Sequence, residues 1–217
     1  MRRDADLRKD VMDELAWDRH LEGTQISVNV ANGIVTLSGR VDSYSKKLSA
    51  ERAALRVAGV KGTVADIEVD VPEAHARTDL EIAGAASMAL EWNSTVPRNA
   101  VKVLVEGGVL TLSGEVAGQF QREAAERAVR HLAGIKAIQN QITVKPAVLP
   151  KDVQSRIMAA LHRQAQVDAQ NIQVAVDGSQ ITLSGTVTSW AEREAAVHAA
   201  WAAPGVSEVI DQITLVQ

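Results

Sequence analysis

The chain has 217 residues, of which 46% are apolar, 23% charged and 3% aromatic, and it carries a net charge of −4 and no cysteine. This balance is typical of a globular protein whose cores are built from aliphatic side chains. The absence of cysteine excludes disulfides, thiolate nucleophiles and zinc–thiolate sites. The absence of a strongly basic segment argues against a nonspecific nucleic-acid binder.

The start of the chain bears on its location. It reads MRRDADLRKDVMDELAW, which contains no apolar run of signal-peptide length, and no later stretch approaches a membrane span. We therefore expect a cytoplasmic protein, or a periplasmic one if a leader has been removed.

One nine-residue phrase occurs three times, as GIVTLSGRV from Gly33, GVLTLSGEV from Gly108 and SQITLSGTV from Ser179. The three copies align without gaps over 7–70, 82–145 and 153–216, and such long internal repetition indicates tandem domains. We predict three domains, called modules 1, 2 and 3, at 1–72, 76–146 and 150–217. Each is small but long enough for a single core.

Each copy opens with apolar residues four positions apart, which predicts a helix with one buried face. A strictly alternating apolar stretch follows and predicts a half-buried strand. The helix positions are Leu7, Val11 and Leu15; Ile82, Ala86 and Leu90; and Val153, Ile157 and Leu161. The strand positions are Ile26, Val28 and Val30; Val101, Val103 and Val105; and Ile172, Val174 and Val176.

The repeated phrase supplies a tight turn and a second strand. Asn32-Gly33 and its equivalents tolerate positive φ, which predicts a β-hairpin. The strand places Thr36 and Ser38 on an open face and the glycine of TLSG on the buried face. A missing side chain there would let a helix approach closely or permit a bulge. These glycines are Gly39, Gly114 and Gly185.

A second helix and a third strand complete each copy. Ser43, Gly118 or Ser189 is expected to begin the helix, which buries small residues. That buried face is predicted to be Ala50, Ala53, Ala54 and Val57; Ala125, Ala128, Val129 and Leu132; and Ala196, Ala199, Ala200 and Ala203. A later glycine is expected to end the helix, namely Gly59, Gly134 or Gly205. The predicted fold class is α+β, in which each α-β-β-α-β unit has a three-stranded sheet with two helices on one face.

The element order, the G-x-V-T-L-S-G strand and the later A-G-V or A-G-I resemble the BON domain, a family named for bacterial OsmY and nodulation proteins. The resemblance covers nearly the whole chain, three times over. It implies a non-enzymatic, transport-associated module that bacteria use in tandem in envelope or stress proteins, and that binds phospholipids or helps to protect membranes under osmotic stress. Some cytoplasmic relatives bind potassium. The resemblance transfers no active-site residue, and from the sequence we expect no catalytic residue, no cofactor and no metal-ligating site.

Four tryptophans are candidate lipid or partner contacts. Trp17 and Trp92 occupy the same column at the end of the first helix, Trp190 begins the second helix of module 3, and Trp201 lies off that helix's buried stripe. Amphipathic rings at helix ends suit a membrane interface or a partner surface. The alternative is that they fill the edges of the small cores or the seams between modules.

Other polar residues favour structural or solvent-facing roles. The five histidines, at 20, 75, 131, 162 and 198, share no column of all three copies and form no metal-binding spacing. The serine of TLSG lies within a strand, unlike a nucleophile elbow. GVKG at 59–62 resembles a KH-type RNA loop but has no counterpart in the other copies. Asp66, Glu68 and Asp70 alternate along a predicted edge strand, where charge discourages aggregation.

The sequence thus predicts a tandem interaction protein without a catalytic centre. We expect it to present its modules to phospholipid or protein partners during osmotic or envelope stress. The alternative is a cytoplasmic sensor that binds a small cation such as potassium through loop carbonyls. Neither hypothesis involves nucleic acid, and the sequence does not specify an oligomeric state.

Overall fold

The computed structural model describes residues 3–147, 152–164 and 169–216, and three similar modules follow one another along the chain. Module 1 consists of α1 Asp4–Trp17, β1 Gln25–Ala31, β2 Ile34–Val41, α2 Tyr44–Arg56 and β3 Gly62–Val69. Module 2 consists of α3 Asp79–Trp92, β4 Val101–Glu106, β5 Val109–Val116, α4 Gln119–Val129 and β6 Ala137–Val144. Module 3 consists of α5 Val153–Arg163, β7 Ile172–Asp177, β8 Gln180–Val187, α6 Trp190–Trp201 and β9 Glu208–Leu215.

The TLSG strand is the centre of each three-stranded sheet. In module 1 the strand order is β1-β2-β3, with β2 antiparallel to β1 and parallel to β3. Modules 2 and 3 repeat this order and register. The parallel pair requires a crossover connection, which the second helix supplies. The structure confirms the predicted α+β fold and the α-β-β-α-β order.

Each module has its own aliphatic core between its sheet and its two helices. The four-residue stripes predicted on the first helices are all buried, as at Leu7, Val11 and Leu15. The second helices bury small residues, which brings helix and sheet close together. The prediction was wrong in detail, because Val57, Ala128, Leu132 and Ala203 are only partly buried. In α4 it is Ala124 that is buried instead.

The glycine of TLSG is required by backbone geometry, but not for the predicted reason. Its φ is +142°, +137° and +124° at Gly39, Gly114 and Gly185. A Cβ at Gly114 would overlap the carbonyl oxygen of Ala100, just before β4, and the other two positions repeat this contact with Gln25 and Asn171. The neighbouring backbone approaches here, rather than a helix. The parallel pairing with the third strand continues through each glycine, whereas the antiparallel pairing with the first strand ends at Gly114 and Gly185 in modules 2 and 3.

The second helices begin as predicted but end earlier. Ser43, Gly118 and Ser189 are their N-caps. The helices end at Arg56, Val129 and Trp201, before the later glycine of each repeat. Gly59, Gly134 and Gly205 have positive φ and lie in the loop that leads to the last strand, so they shape that loop rather than the helix end.

The three modules contact one another in pairs. Tyr44 of module 1 packs against the core of module 2, and Trp201 packs against the cores of both module 2 and module 3. Helix α2 of module 1 also contacts α6 of module 3. The second helices therefore carry the contacts between modules, while the first helices α1 and α3 keep their outer faces exposed. Among the described residues, no helix has the length and apolar character needed to cross a bilayer.

Candidate functional site

The four tryptophans lie in three different environments. Trp17 and Trp92 are 84% and 85% exposed at the C-terminal ends of α1 and α3. Trp190 is partly buried, and the guanidinium of Arg193 lies 4.8 Å from its ring centroid. Trp201 lies in the seam between modules 2 and 3. Only Trp17 and Trp92 are thus freely available for contact with another molecule.

Trp92 is part of a larger apolar surface on α3, which we call the α3 stripe: Leu80, Gly84, Met88 and Trp92. These residues are spaced by four, so they form one ridge along the outer face of the helix. Leu80 is 84% exposed and Met88 is 61% exposed. Contiguous apolar surface of this kind marks an interaction site more often than scattered apolar residues do.

Module 1 provides a natural comparison for this surface. Its residues in the same four columns are Ala5, Lys9, Asp13 and Trp17. Trp17 is therefore an isolated exposed ring on a charged helix, whereas Trp92 continues an apolar ridge. The two tryptophans share a column in the repeat but not a surface.

No contact inside the described part of the molecule explains why position 84, at the middle of the stripe, is a glycine. It lies within a regular α-helix, and a Cβ added to it would meet no atom within 4 Å. An exposed glycine in a helix interior costs about 1 kcal/mol relative to alanine. The notch that it leaves in the ridge is therefore maintained at a cost to the stability of α3.

The charges around the stripe are mainly acidic. Helix α3 contains Asp79, Glu81 and Glu91 and neither lysine nor arginine. Glu81 closes a capping box with Thr78: its carboxylate accepts from the Thr78 backbone N–H and hydroxyl, both at 2.8 Å. These hydrogen bonds lower the pKa of Glu81. Arg98 lies near the other end of the stripe and lines a shallow depression together with Trp92.

A pair of hydrogen bonds fixes the first helix to the hairpin turn in modules 1 and 2. The carboxylate of Asp79 accepts from the backbone N–H of Gly107 at 2.8 Å and of Gly108 at 2.9 Å. In module 1, Asp4 accepts in the same way from Asn32 and Gly33. The sequence analysis did not predict this clamp, although Asp4 and Asp79 share a column of the repeat. The third copy has Pro150 in that column, and Pro150 lies outside the described residues.

The seam between modules 1 and 2 is built around Tyr44 at the start of α2. Burial raises the pKa of Tyr44, and the carboxylates of Glu126 and Glu51 raise it further. Beside it, the hydroxyl of Ser45 lies 2.9 Å from Nδ1 of His131. The Nε of Arg130 donates to Nε2 of the same ring at 3.1 Å, so this nitrogen acts as an acceptor.

The seam between modules 2 and 3 uses different residues in equivalent places. Trp201 packs there on both cores, and Trp201, Phe120 and His198 line a cavity of about 370 Å³ between the modules. Where module 1 has Tyr44, module 2 has Gln119, whose Oε1 is buried and has no hydrogen-bond partner among the described residues. The repeated fold therefore supports two chemically different seams.

The remaining candidates of the sequence lie apart from the stripe. Asp66 and Glu68 are exposed on the edge strand β3, and Glu68 pairs with Arg40 at 3.0 Å, while Asp70 follows the strand. The TLSG serines, Ser38, Ser113 and Ser184, lie within central strands. Within the part of the chain that the structure describes, no three His, Asp or Glu residues are grouped in a way that could hold a metal ion.

Comparison with known proteins gives a family and two curated relatives. A family model described as the BON domain matches residues 3–71, 78–146 and 151–217. The osmotically-inducible protein Y of Escherichia coli is 31% identical over 130 residues, which cover 58% of this chain and 65% of that protein. An uncharacterised protein of Anaplasma centrale is 27% identical over 129 residues, covering 58% of this chain and 85% of the relative.

Solved structures give only distant matches. CdsD, a structural protein of the type III secretion system of Chlamydia trachomatis, is 17% identical over 97% of this chain and 92% of its own, with a TM-score of 0.26. The PrgH periplasmic domain is 10% identical over 95% of this chain and 100% of its own, with a TM-score of 0.23. Scores this low carry no argument about how the modules are arranged or what they bind.

Proposed function

Because the chain belongs to the BON domain family, with three BON domains in tandem, we propose that it is a non-enzymatic osmotic-stress protein that docks onto a partner protein through the α3 stripe. The stress assignment is supported by the name of its E. coli relative, the osmotically-inducible protein Y. The docking assignment is carried by one observation, the exposed apolar ridge formed by Leu80, Met88 and Trp92.

The charge distribution favours a protein partner over a phospholipid surface. Helices that lie on membranes combine an apolar face with flanking lysine and arginine residues, which attract anionic lipids. The charged residues of helix α3 are all acidic. Methionine adapts its shape to different partners, and the glycine notch favours close approach of another helix. Phospholipid binding through Trp17 and Trp92 stays a prediction, and vesicles provide its test.

Growth at high osmolarity tests the proposed function. A cell deleted for this chain is complemented with the wild type, with Met88→Asp, or with the matched control Trp17→Ala. We expect Met88→Asp to lose protection, because a carboxylate at the centre of the stripe is costly to bury. Trp17→Ala should protect as well as the wild type. Equal protection by all three proteins would show that the stripe is not needed.

Vesicle co-sedimentation separates the two partner classes. With both zwitterionic and anionic phosphatidylglycerol-containing vesicles, we expect the wild type to stay in the supernatant. If the wild type sediments with the vesicles and Trp92→Ala does not, the stripe binds a lipid surface rather than a protein partner. The potassium-sensor alternative also stays a prediction. It requires the melting temperature to differ between potassium and sodium chloride at equal ionic strength, because a ligand specific to the native state stabilises it.

A further inference from the structure

We infer that the partner of the α3 stripe is a second copy of this chain, bound through an antiparallel pair of α3 helices around a twofold axis. This inference rests on the proposed function, since it names the partner that the stripe contacts. The order of side-chain sizes along the ridge is self-complementary under a twofold rotation.

An antiparallel pair centred midway between Gly84 and Met88 places each residue opposite a defined position of the other copy. Met88 of one helix lies over the notch at Gly84 of the other, and Trp92 lies over Leu80. Each large side chain at the crossing point thus faces the smallest one, and the twofold axis produces this contact twice. Ridges of residues spaced by four pack into one another in the commonest class of helix contact in globular proteins.

Gly84 lowers the stability of helix α3. A residue of higher helix propensity would stabilise α3, and nothing within 4 Å of the added Cβ opposes it. No contact among the described residues therefore requires a small residue at position 84. At the crossing point of two helices, glycine allows the backbones to approach most closely, which explains its place in the middle of the ridge.

Area and charge set the strength of this contact. Leu80, Met88 and Trp92 at their observed exposures offer on the order of 500 Å² per copy, so the pair buries about 1,000 Å², at the lower limit for a specific interface. We therefore expect weak dimerisation, with a dissociation constant of about 10 μM or weaker. The same register places Glu91 of one copy opposite Glu81 of the other, and these like charges weaken the pair.

Sedimentation velocity at loading concentrations from about 5 to 500 μM tests the dimer. The wild type should shift from monomer towards dimer over this range. Gly84→Leu fills the notch, so it should remain monomeric at every concentration while its melting temperature stays equal or rises, which excludes loss by unfolding. Lys9→Leu in the same column of module 1 is the matched control and should dimerise like the wild type. A wild type that stays monomeric, or a Gly84→Leu variant that still dimerises, would overturn the inference.

Cysteine cross-linking tests the geometry, because the chain has no cysteine of its own. Ser87→Cys lies within one residue of the predicted midpoint and should form a disulfide-linked dimer under mild oxidation. Met12→Cys occupies the same column of module 1 and should not, although Met12 is 48% exposed. Equal cross-linking of both variants would contradict the α3 pair.

The outcomes separate this inference from the proposed function. If Met88→Asp loses osmotic protection but the wild type never dimerises, the stripe is functional and its partner is a different protein. If the wild type dimerises through α3 but Met88→Asp still protects, the dimer exists and the proposed function fails.

Discussion

At the scale of single residues, the glycine of TLSG is the position most constrained by backbone geometry. Gly114 combines a φ of +137° with a neighbouring carbonyl where a side chain would lie. We expect Gly114→Ala to destabilise module 2 by more than about 3 kcal/mol, because both the backbone conformation and the contact with Ala100 would have to change. Urea unfolding followed by circular dichroism measures this.

Gly84→Ala is the control for this substitution, because it adds the same methyl group to open space in a helix. It should stabilise module 2 by roughly 0.5–1 kcal/mol. If the two variants unfold at the same urea concentration, the account of Gly114 is wrong.

The aspartate clamp is the second feature at this scale. Asp79→Ala removes two charge-assisted hydrogen bonds between the first turn of α3 and the hairpin turn at Gly107 and Gly108. We expect it to lower the free energy of unfolding of module 2 by about 1–3 kcal/mol. Asp4→Ala should act similarly in module 1, whereas Asp13→Ala, an exposed position of α1, should have little effect. A loss as large for Asp13→Ala would contradict the clamp.

At the scale of helices and strands, hydrophobic periodicity was sufficient to predict the elements but not their outer faces. The alternation at Ile26 and Val28 and the spacing at Leu7 and Val11 report which face is buried, and the structure confirms both. The same patterns say little about what an exposed face is for. The α3 stripe could have been found by comparing columns, since Met88 replaces Asp13. The reason for the TLSG glycine could not be found in this way, because the carbonyl that approaches it belongs to a residue at or just before the first strand, distant in sequence.

Tyr44 gives this scale its pH-dependent prediction, because it is the only tyrosine of the chain. Its pKa is raised, chiefly by burial, so the neutral phenol is favoured in the folded state. The resulting stabilisation is fully present below the ordinary tyrosine pKa of about 10 and is lost as the pH rises through the raised pKa. Ultraviolet titration of phenolate should therefore show a higher midpoint for the native protein than for the protein in urea.

Tyr44→Phe is the control for the titration, since it should remove the absorbance change while the ring still packs against module 2. Equal midpoints in the native and unfolded states would show that the ring is not buried in the seam.

At the scale of the whole molecule, repetition predicts the modules but not their packing. The contacts between modules involve columns in which all three copies differ. Tyr44, Gln119 and Trp190 form one such column, and Leu55, Arg130 and Trp201 form another. A repeat reports what the copies share, so it contains no information on contacts that each seam makes with its own residues.

Trp201 is the residue on which the seam between modules 2 and 3 depends, because it packs against both cores. We expect Trp201→Ala to uncouple module 3, because removing the indole costs contacts on two sides, about 2–4 kcal/mol for a partly buried ring. Module 3 has an aliphatic core of its own, so its fold should survive the substitution. Scanning calorimetry should then resolve a separate transition for module 3 at lower temperature. Trp17→Ala removes the same side chain from an exposed position and should leave the wild-type profile unchanged. A single unaltered transition in Trp201→Ala would show instead that the contact between α2 and α6 holds module 3 in place.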